Sequence, residues 1–216
     1  MTKWIILAAI IAALIGCQIW LDRESGPERV ELPPPVAKPA ARKATLQPGR
    51  VVTLVTTKGK IEFVMFEKDC PQTTQRIADL IACGAYNGVK MPRVQPELVQ
   101  TATSKAETRG INVELVDRLY HVTGAVGMAR AQAYDSNTSQ FYILKKPIRR
   151  LDGEYTVFGH VIRGMDVVSK ITPRDSIKTA TIRAPTPADL DLLKRADMGK
   201  PMPTPNPRSL IAQPPA

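Results

Sequence analysis

Between residues 120 and 168 short apolar runs alternate with turn-forming clusters, a rhythm that predicts a small antiparallel β domain. Three runs rich in β-branched or aromatic residues, 125–129, 140–144 and 155–162, read as strands. Tyr134-Asp135-Ser136-Asn137 is a polar turn cluster, and Asp152-Gly153 suits the positive φ angles of a tight turn. Gly164 ends the last of these strands, and Met165, Val168 and Ile171 then recur at helical spacing. Upstream, residues 51–55 alternate, Lys58-Gly59-Lys60 turns the chain, and Ile61, Phe63 and Met65 share one face of a run over 61–66. Asp69 is the expected N-cap of a helix over 71–83, with Ile77, Leu80 and Ile81 at core spacing and Gly84 as its stop. A last strand over 176–183 precedes a short helix that Thr186-Pro187 opens, with Leu190 and Leu193 facing the domain.

The ends of the chain follow other rules. Residues 1–21 set Lys3 before an apolar run, the layout of a signal peptide. Leu14-Ile15-Gly16-Cys17 resembles a bacterial lipobox, which would make Cys17 a lipidation site and the first mature residue. The alternative is an uncleaved membrane anchor, since the run from Trp4 to Leu21 can just span a bilayer. Both readings put the remainder on the extracytoplasmic face of a bacterial cell membrane, with positive charge before the apolar run and Asp22-Arg23-Glu24 after it. Residues 22–49, with Pro33-Pro34-Pro35, read as an extended proline-rich linker, and the proline-rich stretch from 200 to 216 as a disordered tail.

Composition narrows the function classes. The 216 residues allow one ordinary domain with tails. A net charge of +10 permits anionic partners, yet the basic residues are scattered and no nucleic-acid-binding pattern accompanies them. His121 and His160 lie far apart and read as partly buried strand histidines. Cys70 and Cys83 flank the expected helix, whose length separates them by about 20 Å. A disulfide needs under about 7 Å, so both are expected to be free.

Three segments carry more than rhythm: GAVGMAR from Gly124, NTSQFYI from Asn137, and LDGEYTVFGHVIRGMDVVSKI from Leu151. They resemble the core signature of the cyclophilins, the peptidyl-prolyl cis–trans isomerases. The resemblance implies a closed eight-stranded antiparallel barrel with two capping α-helices over residues 50–183, followed by the short helix and tail over 184–216. It also implies an isomerase that acts on proline-containing segments of unfolded or exported proteins and needs no cofactor. From Thr101 to Met128 the chain is shorter than the resemblance leads one to expect, as though a glycine-rich surface loop were trimmed to Gly110.

Rotation about an X-Pro bond must break amide resonance, a barrier of about 18–20 kcal/mol. Catalysis calls for a pocket that grips the proline and a donor aimed at the imide nitrogen as it becomes pyramidal. The resemblance puts Arg93 in the donor's role. It assigns the proline pocket to Leu98, Val99, Ala129, Arg130, Gln140, Tyr142, Leu151 and Tyr155, and puts Thr101 where the family has the glutamine that orients the arginine. Pro92 replaces a histidine, and Tyr142 a phenylalanine. Arg150 takes the place of a tryptophan linked with cyclosporin binding. Gln100, one residue from Thr101, is expected on the opposite face of its strand. These departures imply weakened turnover, or, as the alternative, an inactive module that only binds proline peptides.

Overall fold

The computed structural model describes residues 35–106 and 109–196. The expected leader or anchor over 1–21, the first part of the linker and the tail beyond 196 lie outside the described residues. Among the described residues, no helix is long and apolar enough to cross a membrane.

Among the described residues eight strands form: β1 Val51–Thr56, β2 Gly59–Met65, β3 Arg93–Val94, β4 Leu98–Gln100, β5 Ala125–Met128, β6 Phe141–Leu144, β7 Val157–Arg163 and β8 Ile177–Arg183. All pairings are antiparallel, in the order β3-β4-β6-β5-β7-β2-β1-β8. Register breaks at Val55/Thr56, Glu62/Phe63 and Val126/Gly127 supply the bulges that curl such a sheet. Phe63, Phe141, Phe158 and Tyr86 fill its concave side edge to face or tilted, with centroids 5.4–6.5 Å apart. The buried Tyr86 hydroxyl donates to the Ser139 carbonyl at 2.6 Å.

The expected closed barrel is instead an open, curled sheet. The edge strands β3 and β8 do not pair as strands. An isolated bridge, Lys90 with Ser176, and backbone bonds from Met91 N to Asp175 O, from Ile177 N to Val89 O and from Gly88 N to Ile177 O cross the seam, and Ala180 N donates to Asn87 Oδ1. The reason is local: β3 has only two residues, and the Pro92 before it has no N–H to extend a ladder. Asp175 pins this seam. Its carboxylate accepts from the Thr57 hydroxyl at 2.6 Å and from the Thr172 hydroxyl and N–H at 2.7 Å. These hydrogen bonds, the Thr57 hydroxyl first, hold its pKa down from 3.8 to about 2.

Helix α1, Pro71–Ala82, buries Ile77, Leu80 and Ile81 as its spacing predicts. Its capping differs from expectation. The N-cap residue is Cys70, with no side-chain cap bond. Asp69 turns away and accepts from the N–H groups of Thr45 (2.6 Å) and Leu46 (2.9 Å). The open first turn of α1 is served by Glu114, distant in sequence, whose carboxylate accepts from Gln72 N and Thr73 N at 3.2 and 2.8 Å. Arg42 donates to the same carboxylate at 3.2 Å, and its backbone bonds to Leu115 O and Asp117 N. The described end of the expected linker is therefore bound to the domain as a strap. Cys70 is buried and Cys83 exposed, and both are free.

Helix α2, Met165–Lys170, begins at Gly164, whose φ of 90° suits glycine and whose missing Cβ makes room for the Lys60 carbonyl. Helix α3, Pro187–Arg195, carries a capping box between Thr186 and Asp189. Asp189 has no exposed surface and binds both Arg163 and Arg183.

Glu114→Ala should lower stability by about 1–3 kcal/mol through stranded helix N–H groups. Asp79→Ala, which removes only an exposed contact to Gln75, should change it by under about 0.5 kcal/mol. Urea denaturation of both variants checks this, and equal midpoints would remove the remote cap. Because the folded Asp175 pKa is depressed, its contribution is complete above the unfolded value near 3.8 and disappears as pH falls through about 2. Asp175→Asn should therefore be less stable than wild type above pH 4, and the gap should narrow steadily as pH falls from about 4 to about 2.

Candidate active site

In an antiparallel sheet, directly opposed residues project to the same face. Arg93 pairs with Gln100, Gln100 with Tyr142, and Tyr142 with Gly127, so one line crosses β3, β4, β6 and β5 on the convex face. The neighbouring line, Val94, Val99, Ile143 and Val126, points into the core. A cleft opens over the first line. Leu98, Ala129, Tyr142, Leu151 and Tyr155 give it apolar or aromatic walls, and Arg93, Gln100, Arg130, Gln140 and Arg150 ring it with polar groups.

Two residues assigned to the pocket are not in it. Val99 belongs to the core line and is 2% exposed. Thr101 is 3% exposed, and its hydroxyl exchanges hydrogen bonds with Phe141 O and N at 3.3 and 3.1 Å. The correction is one of register. With Gln95 N bonded to Leu98 O, the hairpin turn is tight enough to oppose Gln100, not Thr101, to Arg93. The guanidinium Nη1 donates to Gln100 Oε1 at 2.9 Å, and Nη2 donates to Gln95 Oε1 at 3.2 Å. Gln100 Nε2 donates to Gln140 Oε1 at 3.0 Å, and Gln140 Nε2 to Thr103 Oγ1 at 2.7 Å. A chain of amides thus holds Arg93 at the cleft. The seven-residue interval between Arg93 and Gln100, around Gln95-Pro96, is the sequence signal for this pairing.

The floor has a support that sequence reading missed. The buried His121 takes Asp152 Oδ1 on Nδ1 and the Tyr142 hydroxyl on Nε2, both at 2.8 Å. In the neutral ring with Nδ1–H donating to the carboxylate, Nε2 accepts a hydrogen bond from the Tyr142 hydroxyl. Burial pushes the Tyr142 pKa well up, so its hydroxyl remains a donor. The His121 backbone also accepts from Ile148 N and donates to Asp152 Oδ1. It clasps both ends of the 3₁₀ turn Arg149–Leu151, which carries Arg150 and Leu151 to the cleft. The signal lay in Tyr142, a buried hydroxyl that needs an acceptor. Gly127 gives this ring its place, because a Cβ there would come within 2.5 Å of Tyr142 Cζ.

Arg130 forms one wall, its guanidinium 4.4 Å from the Tyr134 ring centroid and 4.6 Å from that of Tyr155. Nε donates to the Glu154 carbonyl at 3.1 Å, and Glu154 also accepts from Tyr134 and from Lys38 of the strap. His160 lines no part of the cleft, and burial lowers its pKa, which keeps the ring neutral. The arrangement offers a slot with apolar and aromatic walls and a polar rim for a compact ring, with a permanently charged donor fixed beside it.

Known proteins share this architecture. Residues 51–189 match the family described as cyclophilin type peptidyl-prolyl cis-trans isomerase/CLD. A probable peptidyl-prolyl cis-trans isomerase of Brucella suis is 31% identical over 155 residues, 64% of this chain and 79% of that protein. Mouse peptidyl-prolyl cis-trans isomerase-like 1 is 32% identical over 136 residues, 59% of this chain and 81% of the relative. A cyclophilin crystal structure from Cryptosporidium parvum superposes with a TM-score of 0.59 at 22% identity, covering 64% of this chain and 99% of that one. A second crystal structure of that protein, in the presence of the dipeptide Ala-Pro, gives 0.57 at 23% identity, covering 64% of this chain and all of that one. The chain belongs to the cyclophilin-type peptidyl-prolyl cis–trans isomerase family.

Proposed function

We propose that this isomerase turns over X-Pro bonds of extracytoplasmic proteins, with Arg93 as the donor to the imide nitrogen and the cleft as the proline site. The observation that carries the reading is the 2.9 Å bond from Arg93 to Gln100 at the mouth of a slot walled by Leu98, Leu151 and the tyrosine rings. A donor held in advance costs no reorganisation when the imide nitrogen gains its lone pair. Of the grounds for weakened turnover, the missing glutamine falls away, since Gln100 fills that place. Pro92 in the place of the histidine, with a slot more polar for Tyr142 and Arg150, still favours a rate below that of a typical member. The lipobox-like Leu14–Cys17 stretch supports action outside the membrane, with the domain tethered by its N-terminus.

Arg93→Ala should lower kcat/KM by about 10²–10³-fold, as removal of one preorganised donor does. Gln100→Ala should cost about tenfold by loosening that donor. Both should leave the melting temperature nearly unchanged, whereas Thr101→Gln should destabilise by roughly 1–3 kcal/mol because it overfills a packed site. Exchange NMR on proline peptides and thermal melts decide this. An Arg93→Ala rate equal to wild type removes the donor assignment, and peptide binding without turnover in wild type favours the binding-module alternative.

For the tether, the intact mass of membrane-extracted protein should correspond to a chain beginning at a diacylated Cys17. An unmodified mass for Met1–Ala216 establishes the uncleaved anchor instead.

A further inference from the structure

We propose that Arg150 makes this pocket select proline segments that carry a carboxylate side chain beside the proline, an inference that rests on the cleft's being the proline site. Three guanidinium groups line the cleft, and their states differ. Arg93 is committed to Gln95 and Gln100. The Arg130 side chain is 8% exposed, sandwiched between two tyrosines and paired with Glu154. Arg150 is exposed, and its side chain makes no hydrogen bond or ion pair with any described residue. It is a charge at a binding cleft to which no described residue supplies a counter-charge.

The surroundings leave that charge uncancelled. Among the described residues, no carboxylate lines the cleft. Asp152 is held by His121, and Glu154 by Lys38, Arg130 and Tyr134. The connection from β6 to β7 that carries Arg150 also carries Lys145, Lys146 and Arg149. Glu97, from the β3–β4 turn, meets this connection through its backbone carbonyl, which accepts from Lys145 N and Lys146 N, and does not line the cleft. A segment bound in the cleft therefore meets a positive field on this side. A neighbouring lysine is repelled and a neighbouring glutamate attracted, while the proline sits on the walls in both cases. The clasp of His121 on both ends of the Arg149–Leu151 turn fixes where this charge is presented.

The test uses blocked peptides Ala-Xaa-Pro-Phe and Ala-Ala-Pro-Xaa with Xaa as Glu, Ala or Lys, read by exchange NMR without a coupling protease. On at least one side of the proline, Glu should exceed Lys in kcat/KM by at least about threefold at low ionic strength. That ratio should shrink in high salt, vanish in Arg150→Gln and survive in Arg150→Lys. Turnover of the Ala peptides gives the reference rate within each variant, so that only the Glu to Lys ratio is compared between them. Equal Glu and Lys values on both sides, or a ratio that persists in Arg150→Gln, overturn the inference while leaving the isomerase reading intact. If the Ala peptides do not turn over, the isomerase reading fails by itself. The Glu to Lys ratio of binding constants for the same peptides, in wild type and Arg150→Gln, then decides the inference by the same criterion.

Discussion

Arg93, Gln100, Tyr142 and Gly127 lie on one transverse line of the sheet, and Val94, Val99, Ile143 and Val126 lie on the next. Because side chains alternate, a slip of one residue would exchange the lines, putting a guanidinium in the core and valines in water. Burying an unpaired charge is far costlier than any single contact in the site is worth. The register that builds the core is thus the register that aims the donor. The cleft needs no separate device to place Arg93, only amides to steady it.

Much of this was legible in the sequence. Seven of the expected segments, including 51–55, 61–66 and 71–83, form within a residue or two of their predicted ends, since period-2 and period-3.6 patterns report burial directly. The site was legible where a residue type sits within a strand pattern, as for Gln140, Tyr142 and Leu151. It failed at β3 and β4, whose two and three residues are too short to show a period. There the register came from resemblance, and a difference of one residue at the turn moved the orienting role from Thr101 to Gln100.

The other surprises share a cause. Glu114 reaches an α1 that lies 41 residues away in sequence, His121 reaches a turn 31 residues on, and Asp69 ties down Thr45 across 24. Helix caps are predicted from neighbours in sequence, and Asp69 has the right type in the right place to be one. It was drawn off by the N–H groups of a strap, and a second carboxylate took over the helix. Local rules state what a backbone end requires; the tertiary fold decides which side chain supplies it.

The close approach of Gly127 and Tyr142 also governs the order in which this site can change over generations. While the ring lies across the β5 backbone, no side chain fits at 127, whatever advantage it would bring. Loss of the ring at 142 has to come first, and it would leave His121 without its hydroxyl partner and the slot without a floor. A lineage that first acquired the tyrosine over a bare glycine has therefore passed a one-way gate. Its descendants can refine the rim at Arg150 one substitution at a time, while the floor can be revised only through a damaged intermediate.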